Sequence, residues 1–400
     1  MKEYKYTVIG AGIIGLSIVN ELLKRGVIGH DILLVEKENF INLHQTGRNS
    51  GVIHSGIYYE YGSEKQKNCL RGYDLMIEYL NQNQIDYKLT GKLIVATNDL
   101  EVDNLNKLII KAKKSNIDID ILDANDLKKY DNRVSGLKAV FVKKTGITDY
   151  TKVTECLLKS IIEKKVTIEY NCKPISYDKD ISFLKLSDGN VIKTDKIINS
   201  SGSNCDYVYE VLEEEKSPIK ILPFRGEYYS LKPSIKFDIP IYPVPNPDFP
   251  FLGIHITPSI NGNSSVGPNA ILQFKKDSYY KSAFDFSFFI KTIFSVGLLK
   301  LIIKYRKIAL KELYKQSRFS YYEKEVKKYW PGFNQKYIES YYFGLRAQAL
   351  DSRGLVDDFI LTNKNDQIFH ILNAPSPAAT SCFSIAESVI NRILENEKYN

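Results

Sequence analysis

The chain is poor in the residues that build metal centres and covalent frameworks. Its 400 residues include five cysteines, five histidines, two methionines and one tryptophan. The cysteines, at 69, 156, 172, 205 and 382, are scattered, odd in number and without a C-x-x-C pair. That pattern excludes a disulfide framework and fits reduced thiols in a cytosolic-type compartment. The histidines show no metal-ligand spacing, so no metal site is expected. There is no uncharged apolar run of the ~18 residues that a membrane-spanning helix needs. The most apolar stretch, 284–303, is interrupted by Asp285, Lys291 and Lys300. No signal-peptide pattern precedes the first apolar run, which gives the expectation of a cytoplasmic protein. Repeats, long disordered tracts and RNA- or DNA-binding motifs are missing too. The net charge of +8 admits an anionic partner, but its lysines are dispersed, and a nucleic-acid partner ranks last.

What is present is organised around the N-terminus. A short apolar run, 6–9, reads as a buried strand. It enters a turn with Gly10, Gly12 and Gly15 spaced G-x-G-x-x-G, then an amphipathic helix over 13–24. A second apolar run, 32–35, delivers Glu36, 21 residues after Gly15. Gly10 suits a tight turn, Gly12 lets a pyrophosphate approach the backbone, and Gly15 lets helix and strand pack closely. The helix N-terminus offers free N–H groups to an anion. Glu36 stands where a carboxylate can take the hydroxyls of an adenosine ribose. Strand, turn, helix, strand and acid together predict dinucleotide binding.

Downstream, 41–59 is polar, glycine-punctuated and too long for a simple turn, so it reads as a functional loop. Helices are expected over 65–81, 101–115, 124–129, 152–164 and 383–394. Strands are expected over 92–97, 139–142, 166–170, 183–186, 191–193, 196–199, 339–346, 357–361 and 368–372. The 196–199 strand ends in Ser200-Ser201-Gly202, a further place for close backbone approach. From 218 to 258 the chain is proline-rich and aromatic and leaves the nucleotide unit. The 284–311 stretch has two readings. One is packed helix; the other is an interfacial surface helped by Lys304, Arg306, Lys307 and Lys311.

Several longer motifs carry a resemblance. They are G-R-N-S-G-V-I-H-S-G-I-Y-Y (47–59), G-K-L-I-V-A-T (91–97), P-F-R-G-E-Y (223–228), I-Y-P-V-P-N-P-D-F-P-F-L-G-I-H (241–255), V-G-P-N-A (266–270), G-L-R-A-Q-A (344–349) and N-A-P-S-P-A-A-T-S (373–381). Over nearly its whole length, least so between about 275 and 336, the chain resembles the L-2-hydroxyglutarate oxidase/dehydrogenase family. That family lies within the D-amino-acid oxidase and glycine oxidase superfamily of FAD-dependent oxidoreductases. The resemblance implies an α/β (α+β overall) fold, with a Rossmann-like FAD-binding domain and an inserted mixed-sheet substrate domain. The FAD-binding parts would be 1–85, 151–217 and 341–400; the substrate parts would be 86–150 and 218–340, with 276–330 helical. It implies that Gly10, Gly12, Gly15 and Glu36 hold the ADP half of FAD. Thr46, Arg48, Asn49, Ser50, Gly51 and His54 would lie along the pyrophosphate and isoalloxazine. Gly202, Ser376, Pro377, Ala378, Ala379 and Thr380 would complete the flavin site. The chain departs from the family in having Ser-Ser-Gly at 200–202, where alanine is more usual.

The implied reaction oxidises a 2-hydroxy acid to a 2-oxo acid, with hydride passing from C2 to the flavin N5. It needs a base, and histidine suits neutral pH. His255, ending the aromatic strand, is preferred on the substrate side, and His54 is placed near the flavin. A dicarboxylate needs cations, ideally arginine forks. Arg346 is the first candidate and Arg225 the second, although Glu227 offers Arg225 a structural partner. Tyr228, Tyr242 and Asn269 are candidate pocket residues. His370 is expected to pack at a strand end. Electrons would pass to a membrane quinone or to oxygen, with the protein peripheral on the inner face of the membrane in that case. The alternatives are an amine or amino-acid oxidase of the glycine oxidase type, or a flavoprotein acting on another 2-hydroxy acid. Nothing in the sequence bears on oligomeric state.

Overall fold

The computed structural model describes residues 1–247, 252–294, 297, 298, 300 and 319–399. Two large sheets organise the described residues. The first holds eight strands, with the central order Pro174–Asp178, Phe183–Leu186, Val191–Asn199, Lys2–Ile9, Ile32–Val35 and Thr167–Glu169. Its heart is parallel: Ile9 pairs with Val35 on one side and with Asn199 on the other. Three parallel strands therefore end at one edge, where open α/β sheets form their ligand crevices. Helices Ile13–Lys24, Tyr150–Glu163 and Cys382–Tyr399 cover one face, burying Val8, Leu16, Leu34, Val153 and Ile390.

The 191–193 and 196–199 expectations are two ends of one strand, Val191–Asn199. Thr194, between them, breaks the apolar pattern, yet it is buried because its hydroxyl pairs with that of Thr7 at 2.8 Å. The first end pairs with Phe183–Leu186 and the second with Ile368–Asn373. A polar residue in a central strand is thus satisfied laterally, which local periodicity does not reveal.

The second sheet has ten strands, drawn from segments 92–142, 220–272 and 338–355. Its longest pairing joins Lys220–Leu231 to Ile338–Asp351. The first of these, within the proline-rich stretch, was not expected as a strand because Pro223 and Gly226 interrupt the β pattern. The expected boundary at 340/341 falls inside Ile338–Asp351, all of which belongs to this sheet. Leu93, Ile241, Ile256 and Val266 face a core closed by Tyr322, Tyr329, Trp330 and Phe333. A third, small sheet joins Val52–Ile53, Gly146–Thr148 and Tyr87–Lys88.

No helix among the described residues is long and apolar enough to cross a membrane. Within 284–311, helix Phe286–Ile293 is described. Lys304, Arg306, Lys307 and Lys311 lie outside the described residues, so that part of the interfacial reading is not addressed.

The glycine turn explains itself sterically. Gly10 has φ +104°, and a Cβ on Gly15 would stand 1.9 Å from the Gly10 carbonyl oxygen, which no adjustment of a side chain relieves. Gly26, by contrast, has φ +87° with open space around it. Gly15→Ala is therefore expected to destabilise by more than ~3 kcal/mol, and Gly26→Ala by only ~1 kcal/mol. Thermal unfolding of the two variants checks the contrast.

Candidate active-site cleft

One continuous cleft of about 1910 Å³ runs from the parallel strand ends to the second sheet. That exceeds the roughly 300–1,000 Å³ of an ordinary small-ligand pocket and suits a dinucleotide together with a substrate. At one end lie Gly10, Gly12 and Glu36. The Glu36 carboxylate is held by two backbone donors: Ala11 N–H gives to Oε2 at 2.8 Å and Glu38 N–H to Oε1 at 3.0 Å. A Cβ on Gly12 would meet only the Thr46 hydroxyl, at 3.5 Å. Thr46 also accepts from the Ile13 N–H at 3.2 Å, tying the 41–59 loop to the helix start.

The loop holds itself in shape. The Asn49 amide donates to Thr46 O at 2.6 Å and its Oδ1 accepts from Gly51 N–H at 2.9 Å. The Arg48 guanidinium lies over the Tyr279 ring, 3.9 Å from its centroid. Thr46, Arg48, Asn49, Ser50, His54, Gly202, Ser376, Pro377, Ala378 and Ala379 all border the cleft. So the structure brings together, in one channel, pieces more than 300 residues apart in sequence.

Three cofactor candidates have a different position. Gly15 packs helix against turn. A Cβ on Gly51 would stand 2.5 Å from the Thr148 carbonyl. Thr380 is buried behind the wall, where its hydroxyl meets Tyr150 Oη at 2.9 Å and accepts from the His54 N–H at 3.1 Å. None of the three borders the cleft; each supports a residue that does.

At the far end, the second sheet supplies Tyr228, Tyr242, His255 and Arg346. Side chains alternate along a strand, so Gly226 and Tyr228 face the cleft while Arg225 and Glu227 take the other face. That alternation corrects two expectations. Arg225 lies outside the cleft, with its Nε 3.2 Å from the Glu227 carboxylate. Asn269 is buried with it: its amide donates to Glu227 Oε2 at 3.2 Å and its Oδ1 accepts from Glu227 N–H at 2.9 Å. Tyr341 adds an O–H donor to Glu227 Oε1 at 2.7 Å. Both expected substrate residues are thus spent on one buried carboxylate.

His255 is 3% exposed and stacks on Tyr242, ring centroids 3.8 Å apart. A carbonyl only accepts, so the 3.0 Å contact from Nδ1 to Gly253 O requires the proton on Nδ1 and leaves Nε2 as acceptor. Burial, with the charges of Arg346 and Lys92, pulls its pKa down to about 3. His54 is pulled to about 3 as well, first by burial and then by Lys92. Its Nδ1 is buried without a hydrogen-bond partner among the described residues, as a site awaiting a ligand allows. His370 packs in the first sheet, its Nε2 3.0 Å from the Glu213 carboxylate.

Sequence reasoning missed Lys92 and Tyr58. Lys92 is buried at the head of a wholly buried strand, and its Nζ lies against the Tyr58 ring. The available signal was a lysine at the start of an apolar run entered through glycine, in a motif already singled out.

Two expectations follow. Neutral burial of His255 means that the unfolded chain takes up a proton near pH 6.5 while the folded chain does not until about 3. Stability is then lost as pH falls below 6.5, by up to ~1.4 kcal/mol per unit from this group. Urea midpoints measured at pH 7 and 5 should differ less in His255→Asn than in the native chain. Secondly, Arg225→Leu leaves the Glu227 carboxylate short of a cation and should lower stability by ~3 kcal/mol. Its KM should stay within ~2-fold of the native value, a statement that steady-state kinetics on the folded fraction checks.

A family model for FAD dependent oxidoreductases matches residues 5–392. The L-2-hydroxyglutarate dehydrogenase of Indibacter alkaliphilus is 36% identical over 393 residues, covering 97% of this chain and 98% of its own. The Escherichia coli K12 protein of the same name is 35% identical, covering 98% and 93%. The mitochondrial one of Caenorhabditis elegans is also 35% identical, covering 100% and 95%. Among solved structures, L-alpha-glycerophosphate oxidase from Mycoplasma pneumoniae with FAD bound matches with a TM-score of 0.78 at 20% identity, covering 98% of this chain and 95% of that one. Glycine oxidase from Bacillus cereus matches with 0.71 at 14%, covering 98% and 95%. At those identities the two structures speak to fold, and the fold agrees with the α/β expectation. The open cradle at Gly12, the held carboxylate of Glu36 and the size of the cleft all fit the cofactor that the family uses. The chain belongs to the FAD-dependent oxidoreductase family.

Proposed function

We propose that this protein oxidises L-2-hydroxyglutarate to 2-oxoglutarate, with FAD as its cofactor. The observation that carries the reading is the junction of two features in one cleft. A dinucleotide turn lies at one end, and a neutral histidine beside an arginine lies at the other. The chain has 35–36% identity to L-2-hydroxyglutarate dehydrogenases over nearly its full length, which supports the substrate.

Bound FAD supplies the acceptor for the hydride that leaves C2. The turn at Gly10 and Gly12 and the helix start behind it would hold the pyrophosphate, and Glu36 the adenosine ribose. Thr46, Arg48, Asn49, Ser50 and Gly202 would follow the cofactor along the cleft, and 376–379 would border its ring system. On the substrate side, Arg346 would grip a carboxylate as a fork, positioned by its hydrogen bond with Tyr228. His255 Nε2 would accept the hydroxyl proton. A base held at about 3 is weak. A bound dianion offsets the positive charge of Arg346 and Lys92 and so raises the proton affinity of His255 when it is needed. His54 would sit nearer the cofactor, with its ring nitrogen 3.4 Å from the Ser376 hydroxyl.

In this reading the first sheet, with its covering helices, is the FAD-binding domain and the second sheet the substrate domain. The final crossing lies after the strand pair that ends at 355. Electrons leave to a quinone or, less efficiently, to oxygen. The exposed aromatic side chains Phe284, Phe286 and Phe294 suit a peripheral contact with a membrane on its cytoplasmic face.

Anaerobic addition of L-2-hydroxyglutarate to the yellow protein should bleach its visible absorption; bleaching by glycine-type amines alone would transfer the assignment to an amine oxidase. Arg346→Ala should lower kcat/KM for the diacid by ~10²-fold with flavin content intact. An unchanged kcat/KM removes Arg346 from the site.

A further inference from the structure

The surroundings of Lys92 are unusual. It is 1% exposed. Lys65, a buried lysine that borders the cleft, pairs with Asp357 at 2.8 Å; Lys92 lies one layer behind the wall. Lys92 makes no ion pair with an acid among the described residues. The group that favours its charge is the Cys69 thiol, itself pushed up to about 12 and therefore neutral. Its Nζ lies 4.4 Å from the Tyr58 ring centroid and 4.9 Å from that of Tyr242. Both rings border the cleft, and the Tyr58 hydroxyl is buried without a partner among the described residues.

Strand register explains the placement. Ile94 pairs with Tyr242, and Ile241 with Ile256. Side chains two apart share a face, so Lys92 projects from the face that carries Tyr242 and His255. Both cleft histidines feel the charges of Lys92 and Arg346. Two cations, Lys92 buried and Arg346 half-buried, therefore act on one pocket, whereas a monocarboxylate needs one. A buried ammonium with aromatic faces but no acid is a poor structural device and a good receptor for an anion.

We propose that Lys92 is the specificity cation of the site: from behind the Tyr58 and Tyr242 rings that border the cleft, its charge favours the terminal carboxylate of the substrate while Arg346 holds the carboxylate beside the reacting carbon. It thereby selects a 2-hydroxy dicarboxylate over a 2-hydroxy monocarboxylate. The assignment rests on the reading of the cleft as a 2-hydroxy-acid site. The Tyr58 hydroxyl supplies a neutral donor beside the ammonium.

The test compares two substrates of equal chain length, L-2-hydroxyglutarate and L-2-hydroxypentanoate, on flavin-loaded enzyme. Lys92→Met removes a charge that also acts on His255 and so touches both substrates, but it should lower the ratio of kcat/KM for the diacid to that for the monoacid by ~100-fold. Lys92→Arg, which keeps the charge, should hold most of the diacid preference. Calorimetric titration with glutarate, a diacid lacking the reactive hydroxyl, should show binding weakened by Lys92→Met and largely kept by Lys92→Arg. A pH profile gives a separate readout. Burial pulls Lys92 to about 7. The groups facing it, His54 and His255, Tyr58 and Tyr242, and Cys69, are shifted away from that range. In native enzyme kcat/KM for the diacid should fall as pH rises through about 7 to 8, and the fall should be steeper than any seen for the monoacid. Parallel loss on both substrates, or an unchanged preference in Lys92→Met, overturns the assignment. Should Lys92→Met not fold, Lys92→Gln takes its place, and the limb in native enzyme decides. Native enzyme that prefers neither acid over an amine overturns the reading of the cleft instead.

Discussion

Everything in the cleft depends on how closely the first helix approaches the turn before it. The Gly10 carbonyl stands 1.9 Å from where a Cβ of Gly15 would be, so the helix start is pressed onto the strand ends. That contact fixes where its free N–H groups point. It also fixes where the 41–59 loop must lie, because Thr46 is tied to Ile13 N–H. Through the loop it fixes His54, whose N–H is held by Thr380 from the far end of the chain. The order of a channel longer than any one element therefore rests on a single missing methyl group.

The second sheet imposes the other constraint, a rule of parity. Its cleft face presents Tyr242, His255, Tyr228 and Arg346, with Lys92 on the same face but buried behind the wall. Its opposite face presents apolar residues to Tyr322, Trp330 and Phe333. Glu227 falls off the cleft face and must be satisfied where it stands. Arg225, Asn269 and Tyr341 are drawn in for that purpose. A buried carboxylate without them would carry a penalty of several kcal/mol. Residues that a motif presents side by side are thus divided between chemistry and cohesion by nothing more than the pleat.

This division sets how much was legible in the sequence. The strand, turn, helix and acid of the first 36 residues were legible because each signal is local: glycine spacing, apolar periodicity, a carboxylate after a strand. The helices Ile13–Lys24 and Glu64–Gln82 were read to within a residue for the same reason. Arg225 and Asn269 were not placed, since a motif gives neighbours along the chain but not the face on which each side chain leaves the sheet. Thr380 was read as a liner because its run lines the cleft, yet one step along the run turns inward. Lys92 was passed over because lysine in a strand normally marks an exposed edge. Only the pairing of Ile94 with Tyr242 puts it in the interior.

The electrostatics of the pocket then follow from burial. Burial first, and the neighbouring cations second, make the two imidazoles the groups that give up their protons. The result is a pocket with positive charge on Arg346, with a further one on Lys92 behind its wall below about pH 7, and an unprotonated nitrogen on His255. Such a site is poorly satisfied by water and well satisfied by an anion that also brings a proton to remove. On the proposed function, arrival of a dianion would relieve the repulsion between the cations and strengthen His255 as a base in the same event. On that reading, binding and proton transfer would be coupled through charge.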